Sequence, residues 1–292
     1  MQALDYLAQE PAIFICIISL LGLLVGSFLN VVIFRLPVMM QNSWRKDCME
    51  YLGQEKEPIP VINEPFNLVH PHSRCPGCGA SIKPYQNIPV ISYLVLKGQC
   101  GNCQIPISIR YPLIEAFTAI VSAIIAWHFG CTAQTGFALL LTWSLIALSF
   151  IDIDHQLLPD SITLPVLWLG LFLSVFGLYT DSHASIIGAV AGYLTLWCVF
   201  HLFKLLTGKE GMGYGDFKLL ALFGAWLGWQ YLPAIILLSS LVGAVVGTTL
   251  IIFSKHDRNI PIPFGPYLAA AGWITLIWGS DINQAYLKIA GL

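Results

Sequence analysis

Ala12-Ile-Phe-Ile-Cys-Ile-Ile-Ser-Leu-Leu-Gly-Leu-Leu-Val-Gly-Ser-Phe-Leu-Asn-Val-Val-Ile-Phe34 runs for 23 residues without one Asp, Glu, Lys or Arg. As a helix it is about 34 Å long, enough to cross a hydrocarbon layer of about 30 Å. Further apolar segments follow at 112–130, 135–151, 161–179, 184–206, 217–231, 232–254 and 264–281. The sixth of the eight is short and is interrupted by Gly224 and Gly228, so it is expected to be tilted or shielded by neighbours. Composition agrees with this reading. The 292 residues are 57% hydrophobic and 10% charged, with a mean hydropathy of +0.73, whereas soluble domains carry about 25% charged residues. The predicted fold is an all-α polytopic membrane protein with about eight transmembrane helices.

Charge placement orients the helices. Residues 1–11 hold Asp5 and Glu10 but no Lys or Arg, unlike the basic start of a cleavable signal peptide. With the N-terminus outside, 13 of the 14 basic residues fall on the inner side and only Lys288 falls outside. Orientation follows that Lys/Arg bias. Both termini are then periplasmic. The chain divides into a first span (1–34), a cytoplasmic segment (35–111) and a seven-helix membrane domain (112–292). Residues 41–66 are polar and carry Asp47, Glu50, Glu55, Glu57 and Glu64. They are expected to be a solvated surface loop, with attraction of a basic peptide as the sharper alternative.

The cytoplasmic segment contains Cys75-Pro-Gly-Cys78 and Cys100-Gly-Asn-Cys103. Paired Cys-x-x-Cys at this separation predicts a four-thiolate zinc site in a small zinc-ribbon-like segment. Such a segment is too small for a large core, so metal binding would supply folding energy. Four thiolates leave no open coordination position, so the metal is expected to be structural. The other reading is two redox-active or unliganded pairs. Cys16, Cys48, Cys131 and Cys198 are expected to act as small apolar residues.

Two acidic clusters sit at apolar boundaries: Ile151-Asp-Ile-Asp-His-Gln-Leu-Leu-Pro-Asp160 and Gly211-Met-Gly-Tyr-Gly-Asp216. The topology brings both to the cytoplasmic level. A carboxylate pair can hydrolyse a peptide bond, one member activating water and the other, protonated, polarising the carbonyl. The glycines before Asp216 would let an extended peptide approach. Asp152, Asp154 and Asp160 compete for the first position. Asp152 and Asp154 are about 200° apart on a helix, so only one can face Asp216. Helix ends bias the pair toward Asp152 as initial acid and Asp216 as initial base, with Lys218 adding to the bias. Two other readings stand beside this one. The acids could cap helices or pair with Lys218 and His155, or they could line an ion or proton conduit.

Together with Gly26-Ser-Phe-Leu-Asn-Val-Val-Ile-Phe-Arg-Leu-Pro37, Arg110-Tyr-Pro-Leu-Ile-Glu115 and Pro263-Phe-Gly-Pro-Tyr267, these segments resemble the bacterial type IV prepilin peptidases from end to end and in order. The resemblance implies an aspartic protease with catalytic Asp152 and Asp216, the leading Asp of the Asp-x-Asp cluster and the Asp of Gly-x-Gly-Asp. It implies cleavage of a basic leader from prepilins and pseudopilins of the type II secretion system, at the inner face of the bacterial inner membrane. It also implies N-methylation of the new terminus with S-adenosylmethionine. Methylation is assigned by the same resemblance largely to the cytoplasmic segment. Arg35, Gly98, Arg110 and Glu115 are candidate but more readily structural residues there. The lipid bilayer is an expected partner and nucleic acid is not. A peptidase that has lost methylation is the remaining enzymatic alternative.

Overall fold

The computed structural model describes residues 2–53, 66–209, 211–253 and 262–290. Among these residues there are α-helices and short 3-10 turns, and no β-strand beyond two isolated bridges. The helices are α1 (Gln2–Gln9), α2 (Pro11–Tyr51), α3 (Ile91–Val95), α4 (Arg110–Phe129), α5 (Ala133–His155), α6 (Asp160–Ser174), α7 (Ser182–Thr207), α8 (Tyr214–Leu227), α9 (Leu232–Phe253) and α10 (Gly265–Ala290). Each of the eight apolar segments is helical. Among the described residues, five helical stretches are long and apolar enough to cross a membrane: α2, α4, α5, α7 and Trp229–Thr249. α6 and α8 are shorter, with 15 and 14 residues, and α10 is interrupted at Trp278.

One expectation is overturned between the first and second spans. Residues 41–51 are not loop, because α2 continues unbroken through Pro37 to Tyr51. Gln41, Arg45, Lys46, Met49 and Glu50 are good helix formers, and on a helix they extend the rod into solvent without needing a core. Asp47 and Glu50 are exposed, as solvated acids should be. Glu55, Glu57 and Glu64 lie outside the described residues.

The chain divides into two compact units, Met1–Leu139 and Leu140–Leu292. In the first, α2 packs along α4. A Cβ on Gly22 would lie 2.9 Å from the Ala119 Cα, and one on Gly26 would lie 2.7 Å from the Glu115 Cα. The missing side chains at this four-residue spacing let the backbones approach closely. That matters in a membrane, where lipid is as apolar as leucine and packing must drive association. Asn30 Nδ2 adds a bond across the crossing to the Tyr111 carbonyl at 3.2 Å.

The second unit is built around α8. Apart from Lys218, every residue from Asp216 to Leu227 is buried. Shielding of the short sixth segment is therefore observed, and α8 is a helix held by its neighbours. Gly188 and Gly192 of α7 lie against Gly224 and Leu220 of α8. A Cβ on Gly224 would come within 2.0 Å of the Gly188 carbonyl oxygen. From α6, Gly170 leaves room for the Trp226 indole, whose Nε1 donates to the Val166 carbonyl at 2.8 Å. From α10, Gly272 receives the Phe223 ring. Ser185 Oγ donates to the Ala225 carbonyl at 2.6 Å. Each device replaces side-chain bulk or an unmade polar contact by close fit, and together they fix the C-terminal half of α8 against its neighbours.

Candidate active site

Asp152 lies in the last turn of α5 and Asp216 in the first turn of α8. Both are only 6% exposed. Asp152 Oδ2 accepts a hydrogen bond from the Gly265 amide at 3.0 Å, where α10 begins. Asp216 Oδ1 is buried and has no hydrogen-bond partner. A buried carboxylate oxygen left unpaired is costly, and such an orphan in a carboxylate pair is a position for a proton, a water or a substrate atom.

Leu158 ties the two walls together. Its side chain would be 2.8 Å from a Cβ on Gly215 and 3.2 Å from one on Gly265. Gly215 precedes Asp216, and Gly265 touches Asp152, so one leucine packs against the two glycines that border the carboxylates. This corrects the expectation for Gly215 alone, since Gly211 and Gly213 are exposed and precede the helix. Gly213 caps α8 and Gly215 already lies in its first turn, facing Leu158. Gly215 serves helix packing, because a helical backbone has no extended edge for a peptide to line.

Asp154 and Asp160 are both exposed. Asp160 opens α6 and accepts two bonds from Lys218 Nζ, each 2.7 Å. The ammonium expected to bias Asp216 is therefore committed to Asp160. Of the three acids in the first cluster, only Asp152 is buried beside the Asp216 helix start.

Gly265 carries a role that residue chemistry alone did not suggest. It donates to Asp152, and a Cβ there would lie 2.6 Å from Asp152 Oδ2. The only signal was its place in Pro263-Phe-Gly-Pro-Tyr267. Gly265→Ala should push the carboxylate away from its amide. Displacements near 1 Å cost about 100-fold in rate. A drop of that order in leader cleavage, with normal membrane insertion, is the expected result, and cleavage at the parental rate would refute it.

In the first unit the four sulfurs of Cys75, Cys78, Cys100 and Cys103 lie within 4.8 Å of one another. The Cys75 and Cys103 sulfurs are 3.7 Å apart. Zn–S bonds of about 2.3 Å put tetrahedral sulfurs about 3.8 Å apart, so the donor set fits a metal such as zinc. Each pair is a tight knuckle. The Cys75 amide donates to the Ala80 carbonyl and the Cys100 amide to the Ile105 carbonyl, both at 2.9 Å. One bridge closes each knuckle, Arg74 with Ser81 and Gln99 with Pro106. Asn102 Nδ2 donates to Cys78 Sγ at 3.5 Å, and this bond is the largest cause of a Cys78 thiol lowered to about 6. A thiolate at neutral pH is the ligand form. Of the other cysteines, Cys16, Cys48 and Cys198 are exposed and Cys131 is half-buried.

Of the other sequence candidates in this unit, Arg35 and Glu115 hold backbone. Buried Arg35 donates to the Asn67 carbonyl at 2.9 Å and to the Pro71 carbonyl at 2.5 Å. Glu115 Oε2 accepts from the Val90 amide at 2.7 Å. Gly98 turns with φ 71° against the Tyr93 ring. Arg110 opens α4.

Residues 20–129 match the bacterial peptidase A24 N-terminal domain, and residues 139–248 match the type IV leader peptidase family. The chain is 57% identical over 291 residues to a prepilin leader peptidase/N-methyltransferase of Pseudomonas aeruginosa, covering 100% of this chain and 99% of the relative. The chain belongs to the type IV leader peptidase family. Two further family members, both also named prepilin leader peptidase/N-methyltransferase, are those of Stutzerimonas stutzeri, 55% identical over the full length of both chains, and Aeromonas hydrophila, 52% identical over 95% of each. No solved structure matches the chain significantly. The leader peptidase match begins at residue 139, one residue before the second unit, and it contains both Asp152 and Asp216. The four cysteines lie in the N-terminal match.

Proposed function

We infer that this membrane protein cleaves the leader peptide from type IV prepilins and N-methylates the residue so exposed. The observation that carries the peptidase half is a pair of buried carboxylates in a chain of this family. Asp152 and Asp216 are the residues we assign to it. An ionised carboxylate takes a proton from water while the protonated partner polarises the scissile carbonyl, and the water oxygen adds to the carbonyl carbon. Collapse of the tetrahedral intermediate breaks the C–N bond, and the departing amine takes a proton from the pair. Gly265 holds Asp152 in place for this exchange.

Methylation needs a methyl donor, and S-adenosylmethionine would supply the methyl group to the new amine. Cys75, Cys78, Cys100 and Cys103 would hold one zinc ion that folds the segment around them. Purified protein should then carry close to one zinc per chain. Cys78→Ser should lower that content and destabilise the segment, and stoichiometric absence of any metal from the parental protein would remove the assignment.

The Lys/Arg bias supports placing the carboxylate pair at the cytoplasmic face of the inner membrane with both termini periplasmic. A prepilin with a basic leader and an apolar helix would present its scissile bond at that level. Pseudopilins, with the same leader and helix, are substrates on this reading. The test is incubation of reconstituted protein with a synthetic prepilin N-terminal segment, with and without S-adenosylmethionine, read by mass spectrometry. Loss of the leader in both reactions and gain of one methyl group only with the donor is the expected result. An uncut peptide removes the peptidase reading, and a cut but unmethylated one removes the second activity.

A further inference from the structure

Residues 87–95 fall in the stretch that charge placement assigns to the cytoplasm, yet part of it lies beside the apolar run of α2. A cavity of about 270 Å³ is lined by Leu24, Ser27, Phe28 and Val31 of α2 together with Asn87 and Pro89. All four α2 residues belong to the uncharged run that ends at Phe34. At a rise of 1.5 Å per residue, Ser27 is about 12 Å and Leu24 about 16 Å from Arg35 along the helix. Half of a hydrocarbon layer is about 15 Å. The turn through Asn87 and Pro89 thus sits alongside the part of α2 that crosses the membrane, rather than beyond its end.

A second anchor says the same. Val90 donates its amide to Glu115, inside α4, and the Glu115 backbone faces Gly26 of α2. Glu115 is buried between α2 and α4, and an ionisable group there is expected to have specific partners. One of them is the backbone of this turn, and Ser27 of α2 is another.

Irregular backbone at membrane depth is tolerated only where its polar groups are paired within the protein. Here they are. Val90 has φ 59°, a rare conformation for a β-branched residue, and its amide is satisfied by Glu115. The Ile88 amide donates to Ser92 Oγ at 3.0 Å, and Ser92 Oγ donates to the Tyr85 carbonyl at 2.7 Å. Beyond the exposed Asn87, what faces outward is apolar: Ile88, Ile91, Leu94 and Val95 are exposed, the last two by 68% and 75%. Lys97 follows directly, suited to reach the headgroups. This apolar face is continuous, through the shared cavity, with exposed Leu24 and Phe28 of α2.

We propose that residues 87–95 are a membrane-inserted turn and short helix, with Ile88, Ile91, Leu94 and Val95 in contact with lipid acyl chains on the Arg35 side of the bilayer. The segment anchors the second cysteine knuckle, which starts at Gln99, against the membrane surface. The proposal does not depend on which residues are catalytic.

The test places a benzophenone amino acid at Leu94 or, in a separate protein, at Val95 of the full chain, with Gln104 on the second knuckle as the reference position. Each protein is reconstituted in phosphatidylethanolamine–phosphatidylglycerol vesicles, illuminated and read by mass spectrometry. Lipid adducts at positions 94 and 95 and none at 104 are expected. Adducts only to protein, no adducts at 94 and 95, or equal lipid yields at all three positions overturn the proposal.

Discussion

Asp152→Asn and Asp216→Asn should each reduce leader cleavage by about 10⁴-fold, near the top of what general acid–base groups contribute. Asn keeps the shape of either side chain but can neither take a proton from water nor deliver one to the leaving amine. The pair works as a unit, so either substitution alone should approach the double variant. Methylation of a pre-cleaved peptide should persist in both. Stability should not fall with activity. Asp216 Oδ1 is buried without a partner, so the parental protein carries an unpaid polar group there, and Asp216→Leu is expected to melt no lower than the parent. Cleavage by mass spectrometry and thermal melting in detergent check both statements. Full cleavage by either Asn variant would end the dyad assignment.

Gly224→Leu should abolish both tight packing and cleavage, although residue 224 is eight positions and about 12 Å along α8 from Asp216. Even a Cβ at 224 would lie 2.0 Å from the Gly188 carbonyl oxygen, and a leucine must drive α7 and α8 apart. Overpacking of well-packed cores costs about 1–3 kcal/mol, occasionally more, and a backbone neighbour cannot rotate away as a side chain can. A displaced α8 carries Asp216 with it. Gly136→Leu is the control, since a Cβ there meets nothing within 4 Å. Loss of cleavage in the first variant and retention in the second is expected, whereas parental melting and cleavage in Gly224→Leu would show that the α7–α8 contact does not position the site.

Some features were legible along the chain because they depend on neighbours in sequence. Eight apolar runs gave eight helices, because an isolated chain in lipid must pair its backbone within each segment. The cysteine pairs read as one cluster because a Cys-x-x-Cys turn presents two sulfurs whatever surrounds it. Polar residues 41–51 were misread because polarity says where a residue is solvated, not whether its backbone is helical.

Other features required the packed molecule. Asp152, Asp154 and Asp160 are chemically alike in sequence, and only burial and the Lys218 pairing separate them. Gly265 is silent in any reading of charge or periodicity, since its part is to bring a backbone amide to a carboxylate 113 residues away. The helix crossings at Gly22 and Gly26, and at Gly188 and Gly224, decide where whole helices lie through the absence of atoms.

The sequence by itself determined that the chain is a helical membrane protein, that two acids stand at helix ends and that four thiols form one cluster. Hydropathy, charge bias and ligand spacing are local quantities summed along the chain. Only the tertiary structure shows which of the three aspartates is buried near the start of the Asp216 helix, which amide bonds to it and which side chain touches the glycines beside both acids. Those depend on distances between segments far apart in sequence, set by close packing of glycine faces in a solvent that offers helices no hydrophobic reason to meet.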